Sequence, residues 1–275
     1  MSEMDCLLID HQPKLENGTL LLAFSGWMDG GDVSTGTVRR LVELLDAEYV
    51  AEIDPEPFYI YNFPGPMEVA AMFRPHIAID GGLVRTLEMP ANTFFCAESA
   101  NLLMFVGDEP NLRWQTFGRC VLEFARRSGV KQILFVGSFG GMVPHTREPR
   151  LYVTSSEPEF LSEMTPYGVK RSDYEGPGSF TSYLLTEAPA WNLKMASLAV
   201  EIPGYLEGPN LTCLEAVARR LSHILKLSLD LDSFRVASTR WELEVSQQIE
   251  NNEEMAERVR QLEEDYDNAL LENSE

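Results

Sequence analysis

Short apolar runs of four to eight residues recur along the chain at 6–9, 19–24, 49–53, 94–97, 102–106, 132–136 and 195–202. Gly, Pro or Asp bounds most of them, and runs of that length and bounding read as strands rather than buried helices. Between them the apolar positions change to helical spacing, predicting helices at 33–45, 112–127, 179–187 and 211–229. In the second, Trp114, Phe117, Val121 and Phe124 fall three or four residues apart and draw one apolar stripe. Strands alternating with helices predict an α/β fold, a three-layer α/β/α sandwich on a largely parallel or mixed sheet.

The pattern changes near residue 230. From Arg235 to the end the chain carries 12 acids and 4 bases and has neither Gly nor Pro. Trp241, Val245, Gln248, Asn252, Met255, Val259, Leu262, Tyr266 and Ala269 alternate by four and three, the spacing of a coiled-coil-like seam. The expected organisation is an α/β domain over 1–230 and an acidic C-terminal helical segment over 231–275. The seam predicts one long helix, packed on its own domain or on another subunit.

Charge narrows the choice of partner. The 275 residues hold 43 acids against 22 bases, a formal charge of −21. A surface so negative repels a phosphate backbone and an anionic bilayer alike, so neither nucleic acid nor membrane is expected as a partner. The N-terminus lacks the pattern of a signal peptide, and the four scattered cysteines have no metal-ligand spacing. The expectation is a cytoplasmic protein with free thiols.

Three glycine-rich turns invite a chemical reading. Gly26 to Gly31 has the spacing of a phosphate-binding loop, but Asp32 and Val33 stand where lysine and a hydroxyl residue would be needed. Asp29 and Asp32 are instead suited to cap the following helix, so a nucleotide is not expected. Gly137, Ser138, Gly140 and Gly141 follow a strand and precede His145 and Arg147, at the end of a sheet where ligands of open α/β folds collect. Gly178 and Ser179 open a helix, as a plain cap or a weak anion site. Glu201 ends the last strand. His145, Arg147 and Glu201 are the catalytic candidates if the chain is an enzyme, and Gly137, Ser138, Gly140, Gly141, Gly178 and Ser179 the anion-site candidates. No nucleophile elbow, metal motif or cofactor fingerprint is present in the sequence, and no cofactor or metal is expected.

Six segments taken in order, GWMDGG (26–31), GDEPNLRW (107–114), VPHTR (143–147), GPGSF (176–180), EIPGYLEGPN (201–210) and VRQLEEDYD (259–267), resemble the PAC2 family of proteasome-assembly-chaperone relatives. The likeness is to its long actinobacterial branch and spans about 5–270. It implies an α/β/α sandwich with a helical C-terminal segment, assembly as a homo-oligomer (a trimer is the expected stoichiometry), and no established activity for most bacterial members. Some archaeal relatives end in a hydrophobic–Tyr–any residue tail that docks on the proteasome. This chain ends in Asn273, Ser274 and Glu275, so docking of that kind is not expected. The expected function is a non-enzymatic interaction protein or assembly chaperone. The alternative is a small-molecule enzyme of nucleoside phosphorylase-like or hydrolase-like architecture, with a pocket around 137–147.

Overall fold

A computed structural model describes residues 6–272. Strands β1 (Leu7–Ile9), β2 (Gly18–Ser25), β3 (Glu48–Ile53), β4 (His76–Asp80), β5 (Leu83–Glu88), β6 (Thr93–Ala97), β7 (Leu102–Asp108), β8 (Val130–Gly141), β9 (Leu151–Ser155), β10 (Lys170–Arg171) and β11 (Lys194–Pro203) appear in chain order. Nine form one sheet in the order β1-β3-β6-β7-β2-β8-β11-β9-β10, and β4 and β5 pair separately. The four central strands, β7, β2, β8 and β11, are parallel neighbours. Antiparallel strands extend the sheet on both sides.

The apolar runs explain why the centre is parallel. In β2, Leu20, Leu22 and Phe24 enter the core on one face while Leu21 and Ala23 enter it on the other. A strand apolar on both sides must be covered on both sides, which helical crossovers provide. Helices α3 (Trp114–Arg127) and α5 (Phe180–Glu187) cover the first face with Phe117, Phe124, Phe180 and Leu184. The second face carries α1 (Val33–Leu44), α4 (Pro158–Met164) and α6 (Leu211–Leu225), through Val38, Phe160, Val217 and Leu221. Each such side chain contributes roughly 1.5–3 kcal/mol on full burial. The short α2 (Met67–Ala71) lies outside both layers. All four cysteines are buried and none is in a disulfide; the Cys6 and Cys120 sulfurs lie 3.2 Å apart.

Three sequence expectations need correction. The glycine run 137–141 is not a turn: β8 continues through Gly141, paired with β11 as far as Pro203. Its glycines leave room for neighbours, and a Cβ on Gly141 would fall 2.1 Å from the Glu201 side chain. The helix expected to reach residue 229 stops at Leu225, because Lys226 takes a left-handed conformation with φ 55°. The single C-terminal helix is two, α7 (Asp232–Glu250) and α8 (Glu253–Glu272). Asn252 breaks the run and accepts a hydrogen bond from the Met255 backbone N–H at 3.2 Å. An amide side chain competes well for such free N–H groups, which makes it a helix start rather than a seam position.

The C-terminal helices are covered in part by their own chain, while Val236 and Leu243 of α7 stay exposed. Leu231 and Phe234 pack with Ala218 of α6. Val259, Leu262 and Tyr266 of the α8 stripe are buried. Between the paired strands β3 and β6, residues 61–90 form an excursion that carries α2, β4 and β5, and not one of them is buried.

Candidate functional site

The chain enters the region beyond the central strands through the turn after β2. Gly31 has φ 65°, and a side chain there would strike Asn210, 2.9 Å from the added Cβ. Asp29 folds back over the start of α1. Its Oδ1 accepts from the Thr35 backbone N–H at 3.0 Å and its Oδ2 from the Thr35 hydroxyl at 2.7 Å. Burial pushes this carboxyl above the usual range, against the Thr35 bonds that pull it down. Asp32, the other expected cap, makes no side-chain cap bond. Ser138 is taken up by the same turn: its N–H donates to the Met28 carbonyl at 2.8 Å and its hydroxyl to the Gly30 carbonyl at 2.7 Å.

A second carboxylate plays the same part nearby. Glu109, just beyond β7, accepts from the Trp27 N–H at 3.2 Å and from the Phe180 N–H at 2.7 Å. Phe180 opens α5, where Ser179 and Ser182 complete a reciprocal cap. An anion approaching either helix start meets a carboxylate already in place. Gly178 is exposed and Ser179 belongs to the α5 layer, so neither joins the candidates on 137–147.

His145, Arg147 and Glu201 do line one cleft, together with Val143, Asn210 and Cys213. Its volume is about 10 Å³, room for a single water. His145 is buried. Its Nδ1 lies 2.7 Å from the Tyr205 hydroxyl and its Nε2 3.0 Å from Ser246 Oγ on α7. The Tyr205 oxygen already accepts the His145 backbone N–H at 2.9 Å. Its own proton is therefore free to go to Nδ1, which assigns the ring proton to Nε2 and Ser246 as its acceptor. Desolvation lowers the imidazole pKa, with Glu263 opposing. Burial raises the Tyr205 hydroxyl to about 12.

Arg147 is held by α8. Its Nε and Nη2 donate to the two Asp267 oxygens, each at 2.9 Å, and Nη1 donates to Glu263 at 3.2 Å. The neighbouring Thr146 hydroxyl donates to Glu263 as well. Arg147 holds the Asp267 carboxyl below the usual range. Tyr266 completes the contact: its hydroxyl donates to the Glu148 carbonyl at 2.8 Å and its ring stands 4.1 Å from the Arg150 guanidinium. Glu201 accepts from Tyr152 at 3.3 Å. Sequence reading did not identify Tyr205, Ser246, Glu263, Asp267 or Glu109 as partners of these residues. Among the described residues no group of three His, Cys, Asp or Glu could hold a metal, and no helix is long and apolar enough to cross a membrane.

The PAC2 family profile matches residues 23–249. The chain belongs to the PAC2 family. Solved structures agree with the assignment. A Mycobacterium tuberculosis protein of unknown function superposes with TM-score 0.84 at 22% identity, covering 97% of this chain and 92% of its own. A homologue of a proteasome-assembly chaperone from the same organism gives 0.74 at 25%, covering 88% and 99%. An archaeal proteasome activator from Pyrococcus furiosus gives 0.66 at 17%, covering 89% and 98%. A search of curated protein sequences finds no match. On the PAC2 fold the VPHTR segment meets VRQLEEDYD through Arg147 and Asp267, and EIPGYLEGPN through His145 and Tyr205. Glu109 of GDEPNLRW joins GWMDGG to GPGSF. The segments that carry the family likeness bond to one another.

Proposed function

We propose that this PAC2 protein works by binding other protein chains, its own copies included, and not by catalysis; its role is that of an oligomeric interaction protein or assembly chaperone. The reading rests on one observation: the groups best suited to chemistry are spent on the protein's own parts. Arg147 is neutralised by Glu263 and Asp267, and His145 is fixed between Tyr205 and Ser246. The likeness to a chaperone homologue and to a proteasome activator supports the same class. Light scattering on the full chain at tens of micromolar is expected to give a homo-oligomer, with a trimer preferred. A monomer sinks that part of the reading.

The convergence of His145, Arg147 and Glu201 on one cleft favours a second reading, an enzyme whose pocket opens when α8 lifts. Phosphate would then occupy Arg147 and protect the fold against heating. At 100 times the Kd the protection is about 2.7 kcal/mol, and Arg147→Ala would abolish it. The interaction reading expects no melting shift at tens of millimolar phosphate.

A further inference from the structure

Half of the large apolar side chains exposed among the described residues lie between Phe63 and Met89. The strands there are not randomly apolar. Ile77 stands opposite Leu87 and Ile79 opposite Val84, with a register shift that leaves Arg85 as the extra residue. Residues opposite each other in an antiparallel pair share a face. The bulge therefore gathers Ile77, Ile79, Val84 and Leu87 on one side, all 47–63% exposed. His76 and Glu88, Ala78 and Thr86, and Asp80 and Leu83 take the other side, where Leu83 is the one large apolar side chain. The ribbon is amphipathic in the way of a strand pair built on a core, but its own chain places no core beneath it. A two-stranded ribbon alone is marginal in water and needs such a cover.

Charge says what the cover is. Residues 61–90 hold Glu68, Asp80 and Glu88 against Arg74 and Arg85, a balance of −1 in a chain of −21. A basic partner would be drawn to the acidic surfaces elsewhere, and an anionic bilayer would be repelled by them. A second copy, itself at −21, meets the least repulsion where charge is nearly absent. A stable interface buries ~800 Å² on each partner, and the exposed apolar side chains from Phe63 to Met89, on α2 as well as on the ribbon, are the surface available to it.

We propose that the β4–β5 ribbon is the surface through which copies of this chain associate, arm against arm. This rests on the homo-oligomer reading above and names its interface, which is the hairpin and not the C-terminal helices. The test compares the full-length wild type with Ile79→Asp/Leu87→Asp on the apolar face and Thr86→Asp on the polar face, by light scattering across a dilution series. The wild type and the Thr86 variant are expected to be oligomers of equal strength, and the double variant at least tenfold weaker, with its circular dichroism unchanged. An oligomer that survives the double substitution overturns the proposal and leaves assembly itself standing. A monomeric wild type overturns both. If the double variant aggregates, hydrogen exchange on the wild type decides: amides 76–88 must slow as concentration rises, and equal rates at all concentrations refute the interface.

Discussion

Replacing Asp29 by alanine removes two hydrogen bonds from the start of α1 and is expected to cost about 1–2 kcal/mol, read as a lower Tm. Asp29→Asn keeps an acceptor and should cost less. Because the carboxylate fills the helix start, calorimetric titration of wild type with ATP, GTP or NAD should show no micromolar binding. His145 gives a prediction in pH. In the unfolded chain imidazole titrates near pH 6.5, and burial lowers that value in the fold. As pH falls, the unfolded state takes up its proton first. Stability present above about pH 6.5 is thus lost as pH falls through that value toward the depressed one. Melting at pH 7.5, 6.5 and 5.5 should show this loss in wild type and a smaller one in His145→Gln. Identical slopes would mean that the ring titrates freely.

Helix α8 is held by a buried ring more than by its ion pairs. Tyr266→Ala uncovers Arg150, abandons the Glu148 carbonyl and should cost about 3 kcal/mol. Asp267→Ala cuts a half-exposed ion pair and should move Tm far less. Elements of this kind were unevenly legible in the chain. The unbroken apolar runs in β2, β7 and β8 announced a sheet buried on both faces, and the Trp114–Phe124 stripe announced α3, because burial itself writes those patterns. Gly137 to Gly141 misled because glycine's local preference for turns gave way to the ladder offered by β11, a distant partner. Asn252 matched the heptad spacing, yet an amide gains more by capping α8 than by lying in a stripe. The β4–β5 ribbon went unread, its apolar positions broken by Gly81, Gly82 and Arg85. At the candidate site His145, Arg147 and Glu201 could be chosen by residue type and position. Their partners Ser246, Glu263 and Asp267 lie about a hundred residues further along, where no local pattern links them to His145 or Arg147.

At the scale of the whole molecule, the charge of −21 opposes the approach of copies, so salt should strengthen association. Sedimentation between 20 and 300 mM NaCl is expected to show a tighter oligomer at the higher salt. Weakening would point instead to an interface made of opposite charges. The arm has one more consequence. It departs from β3 and returns at β6, strands that already pair directly, with the Ile53 N–H donating to the Asn92 carbonyl at 2.9 Å. The body is closed beneath it, and the entropy of closing a loop grows only with the logarithm of its length. The segment is thus a removable cassette. A descendant could lengthen, trim or rewrite it, and so change its associates, while every strand of the nine-membered sheet stayed in register.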